Sequence, residues 1–130
     1  PMHAAIYRVR GDVQAVVHTH APTATAFGIA GKEILPLQIE MFMMLQKTVP
    51  IIPFKQPGSK ALAEAVQKQI VDYDAVILEN HGIVTVGSTL DAACSLNERV
   101  EEAAKIQLIA MMLSGGNMKS WAEVKKKFKA

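Results

Sequence analysis

Aromatic side chains make up only 5% of the 130 residues, and Cys94 is the single cysteine. The core must therefore be aliphatic, built from Ala, Val, Ile, Leu and Met. A single cysteine excludes an intrachain disulfide and suits a reducing compartment, so a cytoplasmic protein is expected. It also excludes a cysteine-rich structural zinc site. Without a partner base Cys94 has no claim to catalysis, and it is expected to be buried. Long apolar runs are missing as well: nothing approaches the about 18 residues of a membrane span, so no membrane partner is expected. The opening PMHAAIYRVR is short and soon charged, so no secretory signal is expected there. GSKAL (58–62) and VGSTL (86–90) each place Gly-Ser before a helix. Neither has the spacing of a Walker loop or a dinucleotide fingerprint, and both read as ordinary helix starts.

What is present is ordinary for a globular protein: 50% hydrophobic and 20% charged residues, in a length that fits one domain. The net charge of +2 is unevenly spread. Residues 1–118 hold nine Lys and Arg against eleven Asp and Glu, whereas the tail from Lys119 holds five Lys against Glu123 alone. The body is thus no nucleic-acid surface. KKKFK (125–129) reads as a solvated helix end whose lysines complement the helix dipole.

Strand and helix signals alternate along the chain. Residues 3–10 read as the end of a helix broken at Gly11 and Asp12, and VQAVVHTH (13–20) as a strand. Pro22 fits the first turn of a helix over 22–31 that Gly31 closes. A short helix is expected from about Leu37. VPIIPF (49–54), cut by Pro50 and Pro53, belongs at a sheet edge or pairs irregularly. After the Pro57-Gly58 turn, Ser59 can cap a helix on which Leu62, Val66 and Ile70 share a face and Glu64 pairs with Lys68. AVIL (75–78) and IVTV (83–86) predict a hairpin through a four-residue connection, Glu79 to Gly82. Thr89 can cap a long helix with Asp91 in its first turn, a stripe of Leu96, Val100, Ala103, Ala110 and Leu113, and a Glu101–Lys105 pair. Gly115-Gly116 stops it, and Ser120 with Glu123 makes a capping box for a last helix. One mixed sheet with helices packed on it follows.

Three of the four histidines carry the chemical signal. In a strand, residues two apart share a face, so His18 and His20 of VVHTHAP can reach one ion while Thr19 points away. Two strand-end histidines with ordinary hydrogen bonds would fit the same pattern. His81 lies in a polar tetrad between two strands, where a turn tip can face a cleft. If the two regions meet, three imidazoles hold zinc or another divalent transition metal and leave a fourth position open. Such an ion can polarise a carbonyl or activate a water, and spacing does not choose between them. His3 has no such setting and reads as a helix surface or packing residue. Glu79 and Glu33 are the carboxylates near the candidate ligands, and neither is favoured as a base.

The segments IYRVRGDVQAVVHTHAPTATAF (6–27), VPIIPFKQPGSKALAEAV (49–66) and DYDAVILENHGIVTVGSTLDAA (72–93) resemble the class II aldolase and adducin head family. The L-fuculose-phosphate aldolase group is the nearest. The resemblance runs from about Ala5 to Leu113, and its specific part is HTHAP and NHG at this separation with the Pro-Gly-Ser turn between them. It implies a three-layer α/β/α sandwich around a mixed, largely antiparallel sheet, assembled as a homotetramer. It implies zinc on His18, His20 and His81. It further implies a retro-aldol lyase that cleaves a ketose 1-phosphate, such as L-fuculose 1-phosphate, to dihydroxyacetone phosphate and an aldehyde, with zinc stabilising the enediolate. The family's catalytic glutamate falls just upstream of the segment matching Met2 and His3, and its phosphate-binding loops lie further upstream. Residues 1–130 are therefore expected to form one domain lacking the family's N-terminal third, with no catalytic residue assigned. Phe54 stands where some members carry a tyrosine that reaches a neighbouring subunit. Alternatives are a metal-binding member without turnover and an adducin-like assembly module. Sugar-phosphate 4-epimerases and a thioribulose-phosphate dehydratase resemble the same motifs.

Overall fold

A computed structural model describes residues 1–129. Six helices and four strands follow in the order α1 (Met2–Val9), β1 (Ala15–Thr19), α2 (Pro22–Ile29), α3 (Ile39–Leu45), β2 (Ile51–Ile52), α4 (Lys60–Ile70), β3 (Ala75–Leu78), β4 (Gly82–Gly87), α5 (Leu90–Leu113) and α6 (Trp121–Lys129). The sheet order is β1-β4-β3-β2. The β1/β4 and β3/β4 pairs are antiparallel and β2/β3 is parallel, so the sheet is mixed and largely antiparallel, as expected.

Period-2 alternation divides the core in two. Ala75, Ile77 and Ile83 point to one face, against Ala24 and Phe27 of α2, Met41 of α3, and Leu96, Val100 and Ala104 of α5. Val76, Leu78, Val84 and Val86 point to the other, against Ile6 of α1 and Leu62, Val66 and Ile70 of α4. The result is the three-layer α/β/α sandwich. At the proline-cut edge, β2 keeps only two residues. Its carbonyl side still pairs: Ile77 N–H donates to Pro50 O at 2.8 Å and Glu79 N–H to Ile52 O at 3.1 Å. Pro50 and Pro53 lack only donors, so an edge that serves as acceptor tolerates them.

The expected caps form. Ser59 Oγ accepts from Leu62 N–H at 3.1 Å, Thr89 Oγ1 from Ala92 N–H at 3.1 Å, and Ser120 and Glu123 bond reciprocally at 3.1 and 3.3 Å. The last helix lays Phe128 and Trp121 on Phe42 of α3, with ring centroids 5.2 and 6.1 Å apart.

Several expectations are corrected. Cys94 is exposed, because it lies off the face that Ala93, Leu96, Asn97 and Val100 present to the sheet. Leu113 is 85% exposed and Ala110 half-buried. A 24-residue helix runs about 36 Å and outlasts the short sheet beneath it. Glu64 pairs with Lys60 at 3.7 Å, one turn earlier, rather than with Lys68. Glu101 turns to the backbone of α2 and not to Lys105. The hairpin connection is one residue shorter than expected, since Gly82 already pairs with Leu78 as the first residue of β4.

Candidate metal centre

His18 sits opposite Val84 in the β1/β4 ladder, so it shares the α1/α4 face of the sheet. Thr19 sits opposite Ile83 and shares the α2/α5 face. His20 follows the last residue of β1. His81 ends the β3–β4 turn, where Asn80 takes a left-handed conformation (φ 60°) and His81 N–H donates to Leu78 O at 3.0 Å. That turn swings the His81 ring onto the His18 side.

Each of the three imidazoles offers one ring nitrogen such that all three atoms lie within 4.8 Å of one another. Ring centroids are 4.7 Å apart for His18–His81, 5.1 Å for His18–His20 and 5.2 Å for His20–His81. Among the described residues no carboxylate joins this group. His18 Nε2 lies 3.2 Å from His81 Nε2. Two nitrogens each about 2.0–2.1 Å from a tetrahedral zinc stand about 3.3 Å apart, so this spacing fits a shared ion.

The His18 tautomer fits as well. His18 Nδ1 lies 2.9 Å from Ile83 O, which can only accept, so Nδ1 carries the proton and Nε2 presents a lone pair. His81 Nδ1 is buried without a hydrogen-bond partner. With Nε2 turned to the ion beside His18 Nε2, the ring's proton sits on Nδ1, where no protein acceptor takes it. The His81 imidazole is held below the ordinary histidine range, first by burial and then by the charges of His18 and His20. It therefore favours the neutral form that a metal ligand requires. A three-histidine donor set at this spacing suits zinc with one position left open.

Gly82 makes the convergence possible. A Cβ there would stand 2.2 Å from Thr19 O and 3.1 Å from His20 Cδ2. The turn carrying His81 can approach the end of β1 only without a side chain at this position.

His3 is exposed in the first turn of α1, the surface position expected for it. Its imidazole is pushed below the ordinary range by partial burial, then by His18 and the N-terminal charge. Glu79 accepts from Phe54 N–H at 2.9 Å and Glu33 from the Thr48 hydroxyl at 2.6 Å. Both carboxylates are engaged in structural bonds, in keeping with their poor standing as bases.

Sequence reasoning missed the polar side chains of α5 behind the site. Asn97 is 6% exposed and bonds to β1 and β4, while Glu101 bonds to α2. A buried asparagine on the apolar stripe between Leu96 and Val100 was the available signal.

The Class II Aldolase and Adducin N-terminal domain family matches residues 1–108. The chain belongs to this family. It is 37% identical over 112 residues to an L-fuculose phosphate aldolase of Methanocaldococcus jannaschii, covering 86% of this chain and 60% of that protein. It is 32% identical over 111 residues to a 3-oxo-tetronate 4-phosphate decarboxylase of Escherichia coli, covering 82% of this chain and 52% of that one. Among solved structures, the L-fuculose-1-phosphate aldolase of Thermus thermophilus superposes with a TM-score of 0.81 at 26% identity, covering 92% of this chain and 64% of that chain. In each case this chain spans less than two thirds of its relative's length.

Proposed function

We propose that this chain carries the metal-holding part of a class II aldolase, a lyase that cleaves a ketose 1-phosphate such as L-fuculose 1-phosphate to dihydroxyacetone phosphate and an aldehyde. The observation that carries this reading is the convergence of His18, His20 and His81, with two Nε2 atoms at 3.2 Å. His18, His20 and His81 would hold the ion, zinc in the first instance. The ion would supply a Lewis acid that draws electron density from a substrate oxygen.

The protein's part is to fix the donors beforehand. The Ile83 carbonyl orients His18, partial burial favours the neutral form of His81, and the exposed His20 closes the group from the open side. Three nitrogen ligands leave a tetrahedral ion one position for substrate. Similarity to L-fuculose phosphate aldolases over 86% of this chain supports the substrate class. Met112, 72% exposed, and Leu113, 85% exposed, end α5 in an apolar patch that supports assembly as a homo-oligomer, a tetramer by family.

A second reading rests on the similarity to the tetronate phosphate decarboxylase. Decarboxylation of a 3-oxo acid also breaks a carbon–carbon bond and leaves its electrons beside a carbonyl, so it makes the same demand on the site. Product analysis separates the two, since one releases an aldehyde and the other carbon dioxide.

The test is metal content by elemental mass spectrometry on the chain purified without a histidine tag, beside His81→Ala. About one zinc per chain, absent from the variant, is the expected result. A chain that takes up no divalent metal after reconstitution would overturn the reading.

A further inference from the structure

The three imidazoles lie on the α1/α4 side of the sheet, yet the residues flanking His20 are tied from the opposite side by α5. Asn97 Oδ1 accepts from the Thr19 hydroxyl at 2.7 Å, and Asn97 Nδ2 donates to Val17 O at 3.3 Å and to Thr85 Oγ1 at 3.2 Å. One turn later on the same face, Glu101 Oε1 accepts from Ala24 N–H at 2.8 Å and Oε2 from Thr23 N–H at 3.1 Å.

This second bond pair answers a local deficit. A helix start leaves its first N–H groups without intrahelical partners. The N-cap of α2 is Ala21, which has no side-chain acceptor, and Pro22 has no N–H to satisfy. Thr25 N–H reaches Ala21 O at 2.9 Å. Thr23 and Ala24 therefore depend on Glu101, which also places a negative charge at the positive end of the helix. Between the Thr19 and Thr23 tethers run only His20, Ala21 and a proline with fixed φ. The path of the chain at His20 is held from both ends.

We propose that Glu101 is a positioning residue for the metal centre: its carboxylate fixes the start of α2 and thereby the place of His20 in the three-histidine group. Asn97 holds the preceding residue in the same way. This inference rests on the three-histidine metal reading above.

The test compares zinc dissociation constants, read by competition with a chromophoric chelator, for the wild-type chain and four variants. Glu101→Ala removes both acceptors, and Glu101→Gln keeps one. Glu102→Ala removes a neighbouring exposed carboxylate, and Ser59→Ala removes the cap of α4, away from the histidines. Glu101→Ala is expected to weaken zinc binding about tenfold or more, with Glu101→Gln between it and wild type. Ser59→Ala lowers the melting temperature without changing zinc affinity, and Glu102→Ala, which loses only an exposed pair with Arg99, leaves zinc affinity unchanged. Where Glu101→Ala does not fold, Glu101→Gln against Glu102→Ala carries the comparison. Zinc affinity that survives in Glu101→Ala or Glu101→Gln, as it does in Ser59→Ala, overturns the positioning role and leaves the metal reading standing. A wild-type chain that binds no zinc overturns both.

Discussion

Gly82 lies so close to Thr19 that a Cβ built on it would stand 2.2 Å from the Thr19 carbonyl oxygen. The obstacle is backbone in a paired strand, not the free end of a side chain. Gly82→Ala must therefore push the β3–β4 turn off the end of β1, carrying His81 away from His18. A cost of about 1–3 kcal/mol is expected, the range for overpacking a filled site. Zinc uptake should fall with it. Gly11, which has no atom within 4 Å of such a Cβ, is the control. Thermal unfolding and metal content of Gly82→Ala beside Gly11→Ala check this, and a Gly82→Ala chain that loads zinc normally would refute it.

The His18 tautomer is fixed by a group that can only accept, since the ring's Nδ1 lies 2.9 Å from Ile83 O. Long-range nitrogen–proton NMR spectra of the zinc-loaded chain should show His18 protonated at Nδ1, with the signature of a ligated nitrogen at Nε2. A proton on Nε2 in the loaded state would mean that His18 does not hold the ion through the nitrogen that faces His81.

The sequence made much of this arrangement legible, for reasons that are local. His18 and His20 declare a shared face through strand periodicity, and the apolar runs 75–78 and 83–86 declare the hairpin that returns His81 to them. Pro50 and Pro53 place their strand at the edge because proline lacks a donor. What was not legible depends on contacts far apart in the chain. Glu101 has a helical neighbour, Lys105, at a favourable spacing, but the unsatisfied N–H groups of Thr23 and Ala24, 78 and 77 positions away in sequence, claim it instead. A partly buried pair of helix-end donors outweighs an exposed ion pair worth a few tenths of a kcal/mol. Cys94 and Leu113 were misjudged because hydrophobicity predicts burial only where a neighbouring layer exists to cover it. Gly82 was read as a turn residue, whereas its role is to let one backbone approach another.

Arg10 ties three elements at the end of the sheet away from the histidines. Its guanidinium donates to Ile70 O at 2.8 Å, Tyr73 O at 3.2 Å, Asp74 at 2.8 Å and Asp12 at 2.9 Å. These bonds join the end of α1 to the end of α4 and the start of β3. Arg10→Ala leaves two carbonyls without their donor and is expected to cost about 2 kcal/mol. Hydrogen bonding to Arg10 also holds the Asp12 carboxyl below its ordinary value of 3.8. As pH falls, the unfolded carboxyl takes its proton before the folded one does, so this contribution is present above pH 3.8 and fades as pH drops through the lowered folded value. Arg10→Ala should therefore lose stability less steeply than wild type between about pH 4 and pH 2. Urea unfolding of both chains over that range checks the sign, and parallel curves would rule the linkage out.

Asn97 and Thr85 form a buried polar pair whose value lies in being complete. Thr85 is fully buried, donates to Ala93 O at 2.8 Å, and accepts from Asn97 Nδ2 at 3.2 Å. Asn97 in turn satisfies the Thr19 hydroxyl and Val17 O. Asn97→Leu would leave the half-buried Thr19 hydroxyl and Val17 O, and the buried Thr85 Oγ1, without that partner, at a cost of about 1–3 kcal/mol. Thr85→Val removes the other half and leaves an Asn97 N–H unpaired. Once one partner is gone, losing the second costs less, so the double variant should be more stable than the sum of the singles by about 1 kcal/mol. Denaturant unfolding of the four-member cycle measures this. Strict additivity would mean that the two residues act independently and that the pair does not hold β1 and β4 to α5 as one unit.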